Sequence, residues 1–581
     1  MPATPRARKS VIWVTALAAT VSLSAQPHTL TPARQLEALS DRFVADSLDY
    51  DPTQAYTTGL ATTIHDRFAD RTPAALAAFD AKERAALTAL KRLDPKDLPA
   101  TSIATYAQLR EKLESDLQLR ICRHELWNVD HFDGWQDTFA DVADAQPVAT
   151  PDERAQALRR WASLPHYIDV EIANLRRGLA AGYSAPKSVV RKVIRQLDDL
   201  TAGAPEASPF YTPATHSEDS TFKADFKHLV SAWVNPALRR YRDFLADTYL
   251  PQARDSIAVS DLPDGEACYR AFLRAETTLD RSPRAVFDLG QQTVSANEAE
   301  ILRLGGKLYG TSDIAATLTA AKANPQEKFA SKDDLLSFSR EFMARAKSAT
   351  ATQLIAALPV QDVVIEHERD FEEQAAVSSH LDIQPDVSKP EIYRIELNNW
   401  ASQTRAEAEI VVVHETVPGH HLQIALAREL SPPGQLSKLV SNAAYQEGWA
   451  RYAEAMGEEA GIYDTPDAAI LRRIWPARGM VVDPGLHAFH WTREQAIQYL
   501  VSTGRFTPKS ADDTVDRIAV MPGQLTAYDS GGLEIRALRT EAQQRLGDRF
   551  DLKEFNKVVL EEGVVPLSEL RRHVETWLTR R

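Results

Sequence analysis

Apolar residues recur at three- and four-residue spacing through 152–181, 222–247, 283–305 and 332–348, the period of helices that turn one face to a core. Several helix starts carry explicit signals. Thr150-Pro151-Asp152-Glu153 is a capping box with proline at the first helical position, Ser282-Pro283 and Thr465-Pro466 repeat the cap-then-proline pattern, and Thr492 with Gln495 forms another box. The two-residue alternation of a strand is best developed in VQDVVIE (360–366) and EIYRIELNN (391–399). Proline and glycine gather in 200–217, which predicts a surface loop. The pattern predicts a mainly α protein with a small β-sheet placed just before residue 411. A soft division falls near residue 275, between a helical half (26–275) and a half that carries the chemistry (276–581). One continuous domain fits the same pattern.

With 44% apolar and 25% charged residues over 581 positions, the composition is that of a folded soluble chain. A net charge of −14 works against binding nucleic acid or an anionic membrane surface. The first residues add a destination. Arg6, Arg8 and Lys9 precede an apolar run from Val11 to Leu23, too short for a comfortable membrane span, and small residues follow. This is the pattern of a signal peptide (1–25) cleaved near Ala25; the rival reading is an uncleaved anchor. The expectation is a periplasmic or secreted protein with no membrane insertion after cleavage. In an oxidising compartment Cys122 and Cys268 either pair or stand as two isolated buried thiols, and their spacing decides neither. Lacking CxxC spacing, neither is expected to hold a metal.

The chemistry concentrates in VVVHETVPGHHLQ (411–423). His414-Glu415 begins like the HExxH of zinc peptidases, but Pro418 stands where the second histidine belongs, and the next histidines are His420 and His421. On an unbroken helix, six positions rotate by roughly 600° and rise about 9 Å, and seven positions rise about 10.5 Å. Neither histidine could then share an ion with His414. Pro418 cannot donate an amide to the carbonyl of His414, and Gly419 frees the backbone that follows. The expectation is therefore a broken helix, HExxPGH, in which His414 and His420 are metal ligands and Glu415 is the general base. His421 is left to packing beneath the site or to contact with substrate. A histidine-rich helix end without a metal is the plainer reading. The HE pairs at 124–125 and 367–368 lack this context and read as ordinary helix-surface or strand-end residues.

Glu447, in YQEGWARYAEAMGEEAG (445–461), is a candidate third ligand on a neighbouring helix. Glu454, two turns on, lies on the same face, as an outer hydrogen-bond partner of a ligand or a solvated charge. In ARGMVVDPGLHAFHWTREQA (477–496), His487 is a candidate donor to a developing oxyanion and Asp483 a candidate partner orienting a ligand histidine. In MPGQLTAYDSGG (521–532), Tyr528 offers a phenol for the same charge. Taken singly, these are more often a core histidine or a packed tyrosine.

HETVPGHHLQ (414–423), EGWARYAE (447–454), VVDPGLH with WTREQA (481–496) and PGQLTAY (522–528), preceded by LPDGEACYRAFLRAETTLDRSP (262–283), together resemble the DUF885 family of bacterial proteins, which is similar to the gluzincin zinc peptidases. The resemblance covers nearly all of the mature chain. It implies His414, His420 and Glu447 as ligands of one zinc ion, Glu415 as the acid/base, and His487 and Tyr528 as transition-state donors. The histidine after Pro-Gly is the fixed one in that pattern, which favours His420 over His421. The resemblance also implies that the strand at 391–399 pairs its edge with the substrate backbone, with Asn398 at its end. Two positions depart from the pattern: Glu534 stands where a lysine is common, and Asn556 where a histidine is common.

The resulting expectation is an exported zinc metallopeptidase with a large helical fold, acting on short peptides. A zinc hydrolase of a non-peptide amide is one alternative. A metal-free periplasmic binding protein on a peptidase scaffold is another, against which the intact Glu415 and Glu447 argue. Nothing in the sequence sets the oligomeric state.

Overall fold

Capping chemistry places most of the helix starts. The Thr150 hydroxyl accepts the Glu153 amide while the Glu153 carboxylate accepts the amide of Thr150, opening a helix over Pro151–Ala180. Ser282 opens Pro283–Tyr309 and the Thr492 box opens Arg493–Ser502. The computed structural model in which these contacts are seen describes residues 30–368, 379–384, 386–430 and 434–581. The segment 1–25 expected to be a signal peptide lies outside the described residues, and no described helix is long and apolar enough to cross a membrane.

Three sequence expectations need correction. Thr465-Pro466 starts no helix: Thr465 gives its amide and hydroxyl to Glu409, and the next helix, Ala468–Leu471, opens only beyond Asp467. The run at 222–247 is helical but not uniform, with π-helical turns at Val230–Val234 and Leu245–Tyr249. The first precedes Pro236, whose missing amide a wider turn accommodates. The stretch 200–217 is no plain loop either, because short helical turns at Pro205–Ala207, Pro209–Tyr211 and Thr212–Thr215 carry Phe210 into the core.

The sheet has three strands, β1 (Val363–His367), β2 (His380–Asp382) and β3 (Glu391–Ile395), in the order β1-β3-β2. Val363 of β1 pairs with Glu391 in parallel, and Leu381 of β2 pairs with Tyr393 antiparallel. With three residues, β2 is too short to show alternation. Its presence overturns one expectation: β3 is the central strand, and both its edges are already hydrogen-bonded, so no substrate backbone can add along Glu391–Ile395.

Helices α1 (Gly265–Thr277), α2 (Lys332–Gln353), α3 (Arg405–Glu415), α4 (His420–Leu430), α5 (Ala443–Glu459), α6 (Gly479–Ala488) and α7 (Gln524–Leu546) surround the candidate chemistry. Val363, Ile365, Tyr393 and Ile395 of the sheet share a buried cluster with Phe342 of α2, Val412 and Val413 of α3, and Tyr445, Trp449 and Tyr452 of α5. The helical half has its own aromatic core around Phe68, Trp161 and Phe226. Other clusters mix residues from both sides of residue 275: Val189 and Ile257 pack with Trp475, Leu500 and Val515. Across the same divide, Asp516 takes an ion pair from Lys192 at 2.8 Å, beside a second one from Arg493 of its own half at 2.7 Å. Of the two readings left open for the cysteines, pairing holds: Cys122 and Cys268 form a disulfide with Cα atoms 4.7 Å apart. It anchors the turn after Ala100–Leu119 to α1, which packs on α7.

Helices α5 and α7 pack with their backbones in contact. A Cβ on Gly531 would sit 1.7 Å from the carbonyl oxygen of Ala444, and one on Gly448 would sit 2.5 Å from the Gly531 backbone. Backbone thus touches backbone, and this brings Glu447 of α5 and Tyr528 of α7 to one place.

Candidate metal centre

The helix that begins at Thr404 stops where the sequence says it must. Thr416 leaves helical geometry (φ −110°, ψ −108°), and α4 begins only at His420. Gly419 is pressed so tightly under the end of α3 that a Cβ would lie 1.9 Å from the His414 carbonyl oxygen. The Trp449 indole N–H donates to the Pro418 carbonyl at 2.9 Å, fixing the bend from α5. The His414 and His420 rings consequently stand 4.7 Å apart and nearly perpendicular, at 89°.

Glu447 closes the triangle. Its Oε2 lies 3.4 Å from His414 Nε2 and 3.3 Å from His420 Nε2, and ligand atoms from all three residues lie within 4.8 Å of one another. A tetrahedral ion with bonds of about 2.1 Å separates neighbouring ligand atoms by about 3.4 Å, so these distances suit one small cation. Glu447 Oε2 is buried and faces both Nε2 atoms. The electrostatics agree. Burial works against a charged His414, but hydrogen bonds to Glu447 and Glu454 outweigh it and push its pKa up to about 10. Burial likewise opposes an ionised Glu447, and the two imidazoles overcome it and hold the carboxyl well below the usual range. The cluster therefore favours positive charge at its centre, which a divalent ion would supply.

Glu454 is an outer partner rather than a solvated charge. It is 2% exposed, accepts from His414 Nδ1 at 2.8 Å, and takes an ion pair from Arg451 at 2.7 Å. This leaves His414 Nε2 facing Glu447, with Nδ1 donating to Glu454. Arg451 is a component that the motif reading passed over, although its three-residue spacing from Glu454 was visible. Tyr528 lies with its ring 6.4 Å from that of His414 and the Arg451 guanidinium 5.5 Å from its own centroid. Burial, with the charge of Glu447, raises the pKa of its phenol, so it remains a proton donor. Glu415 ends α3 beside His414, and its charge reaches Tyr393 of β3. None of the described residues hydrogen-bonds or ion-pairs with its carboxylate.

Two expected residues, His487 and Asp483, are placed elsewhere, and His421 takes the packing role that the sequence left open. His421 is 1% exposed, and its Nδ1 binds Glu391 at 2.8 Å, which also holds Arg428 at 3.2 Å; it ties α4 to β3 and cannot reach substrate. His487 is wholly buried, with Nδ1 accepting from the Val259 amide at 3.1 Å and Nε2 donating to the Ile518 carbonyl at 3.0 Å. Burial lowers its pKa to about 4, and with both nitrogens engaged no donor remains for an oxyanion. Asp483 accepts from the Tyr269 hydroxyl at 2.7 Å and the Gly523 amide at 3.0 Å, so it orients the entry to α7 and no ligand histidine. Asn398 is exposed just past the end of β3, the strand with no free edge. Of the two departures, Glu534 is closed into ion pairs with Arg281 and Arg571, and Asn556 is buried, donating to the Leu354 carbonyl at 2.9 Å and accepting from Tyr452.

The two adjacent histidines can be told apart by titration with zinc. His420→Ala is expected to abolish tight binding. His421→Ala should bind zinc normally but unfold at lower temperature, losing about 1–3 kcal/mol because Glu391 is left short of a partner. Equal zinc affinity in the two variants would reject the ligand assignment.

A family described as "Bacterial protein of unknown function (DUF885)" matches the chain over residues 52–574. No curated protein matches it. Two solved structures are similar in fold. One, described as "the putative lipoprotein from Colwellia psychrerythraea", is 22% identical with a TM-score of 0.87, over 95% of this chain and 100% of that one. The other, "a putative lipoprotein of unknown function from Shewanella oneidensis", is 20% identical with a TM-score of 0.77, over 92% and 99%. At these identities the likeness speaks for the fold.

Proposed function

The chain belongs to the DUF885 family, and for this member of it we propose the activity of an exported zinc metallopeptidase that hydrolyses peptide bonds in short peptides. One observation carries the reading: ligand atoms of His414, His420 and Glu447 lie within 4.8 Å of one another, with Glu415 one residue beyond the first histidine. Two imidazole nitrogens and a carboxylate oxygen are the donor set of a catalytic zinc, which when bound would supply Lewis acidity to the scissile carbonyl and acidify water. The protein's own groups account for the remaining steps. Glu415 takes a proton from the attacking water on its carboxylate and returns it to the departing amine nitrogen. The Tyr528 hydroxyl donates to the carbonyl oxygen as negative charge grows there. Glu454 holds the His414 ring by its Nδ1–H, and Arg451 offsets the burial of Glu454.

Three observations support export. The basic and apolar N-terminal segment reads as a signal. The Cys122–Cys268 disulfide suits an oxidising compartment. Both fold relatives are described as lipoproteins.

The test is metal analysis of freshly purified protein, followed by digestion of a library of short peptides and amidated metabolites read by mass spectrometry. About one zinc per chain is expected, with peptide cleavage that a chelator abolishes and zinc restores. Absence of zinc binding would reject the metal centre. Zinc binding with cleavage of only non-peptide amides would reject the peptidase reading and keep the hydrolase.

A further inference from the structure

Three arginines act on Tyr528, and they differ in what holds them. Arg451 is ion-paired with Glu454, and Arg517 donates to Gln524 Oε1 at 2.9 Å. Arg505 is exposed, and no described residue hydrogen-bonds or ion-pairs with its guanidinium. Two aromatic faces hold it instead, Trp475 at 5.6 Å and Phe506 at 5.9 Å. Trp475 is 8% exposed and packed in the cluster of Leu500 and Val515, so it is a firm platform. The chain after it is pressed on the first turn of α7, where a Cβ on Gly479 would meet the Leu525 carbonyl at 2.2 Å.

Arg505 is thus a positioned cation without a counter-ion among the described residues. Although the side chain is reached by solvent, the protein surrounding it and the Arg451 guanidinium both work against its charge, and the acids that act on it are spoken for. Glu407 caps the helix at Thr404 and pairs with Lys322 at 3.1 Å, and Glu454 serves His414 and Arg451. An anion entering from solvent would relieve this imbalance. A guanidinium steadied on an indole keeps its planar fork free, which matches a carboxylate with two parallel hydrogen bonds.

We propose that Arg505 receives the free C-terminal carboxylate of the peptide substrate, making the enzyme a carboxypeptidase that cuts near the chain end. The proposal rests on the peptidase reading above for the identity of the anion. Its geometric basis is separate: the guanidinium rests on Trp475 and Phe506, and the buried cluster that holds Trp475 also packs against Tyr528 of the metal centre.

The experiment uses zinc-loaded full-length protein carrying Glu415→Gln, so that binding is measured without turnover. N-acetyl-Ala-Ala-Phe and its C-terminal amide are titrated by calorimetry, with and without Arg505→Ala or Arg505→Lys. The acid is expected to bind about 10- to 100-fold more tightly than the amide, the range of a charge-assisted bidentate pair. Arg505→Ala should bring the acid to the level of the amide, leave the amide and the zinc content unchanged, and Arg505→Lys should restore part of the difference. Cleavage assays of Arg505→Ala in the protein with Glu415 intact should show the loss in KM for the acid alone. An acid-to-amide ratio unaffected by Arg505→Ala, or no binding of the acid, overturns the proposal. Arg505-dependent binding without any peptide cleavage would instead remove the peptidase reading and leave the carboxylate anchor standing.

Discussion

Replacing Glu447 by alanine should strip the centre of its ion: zinc content is expected to fall from about one per chain to near zero, and hydrolysis with it. The carboxylate is the one anionic ligand of the three, and its Oε2 lies within 3.4 Å of both Nε2 atoms. Alanine leaves two imidazoles 4.7 Å apart with nothing to complete the triangle. The loss should exceed the roughly 10- to 100-fold weakening typical of removing an outer hydrogen-bond partner, which is the effect expected of Glu454→Ala. A Glu447→Ala protein that kept its zinc would show that the three residues are a structural cluster. Since Glu447 lies beside Gly448 at the tight α5–α7 contact, circular dichroism must accompany the metal analysis, and Glu447→Gln, which keeps the shape, provides a second variant.

Glu415→Gln should do the opposite. Zinc content and folding are expected to remain, while kcat falls by about 10²- to 10⁴-fold, the usual contribution of a positioned acid/base. At about 1.4 kcal/mol per tenfold, that is roughly 3–5 kcal/mol of barrier. Glutamine keeps the size and the last helical turn of α3 but cannot accept the proton of the attacking water. Full activity in this variant would remove Glu415 from the mechanism, and loss of zinc would mean that it acts through the ligands instead.

How far the site was legible depended on the kind of constraint. The break at Pro418-Gly419 could be read because it follows from a missing amide, a local covalent fact. Glu447 and Glu454 could be read because seven residues on a helix return to one face. His487 misled, and His421 stayed open between packing and substrate contact, because a buried histidine satisfied by a carboxylate or a carbonyl has the same one-letter code as a catalytic one. Their partners, Glu391, Val259 and Ile518, lie 30, 228 and 31 positions away. Arg505 drew no attention at all, since its meaning lies in Trp475 beneath it and in how few of the described residues could balance its charge.

The same division runs through the fold. Periodicity and caps by themselves determined a mainly α chain, the starts at Pro151, Pro283 and Arg493, and the bend that separates α3 from α4, because each depends on residues within a few positions of one another. Only the tertiary structure decided that β3 is central, that Cys122 meets Cys268, and that Glu447, Tyr528 and Arg451 gather at His414. Those outcomes depend on which surfaces pack together, above all on the glycines that let α5 and α7 touch, and such contacts join positions far apart in the chain, beyond the reach of any local rule.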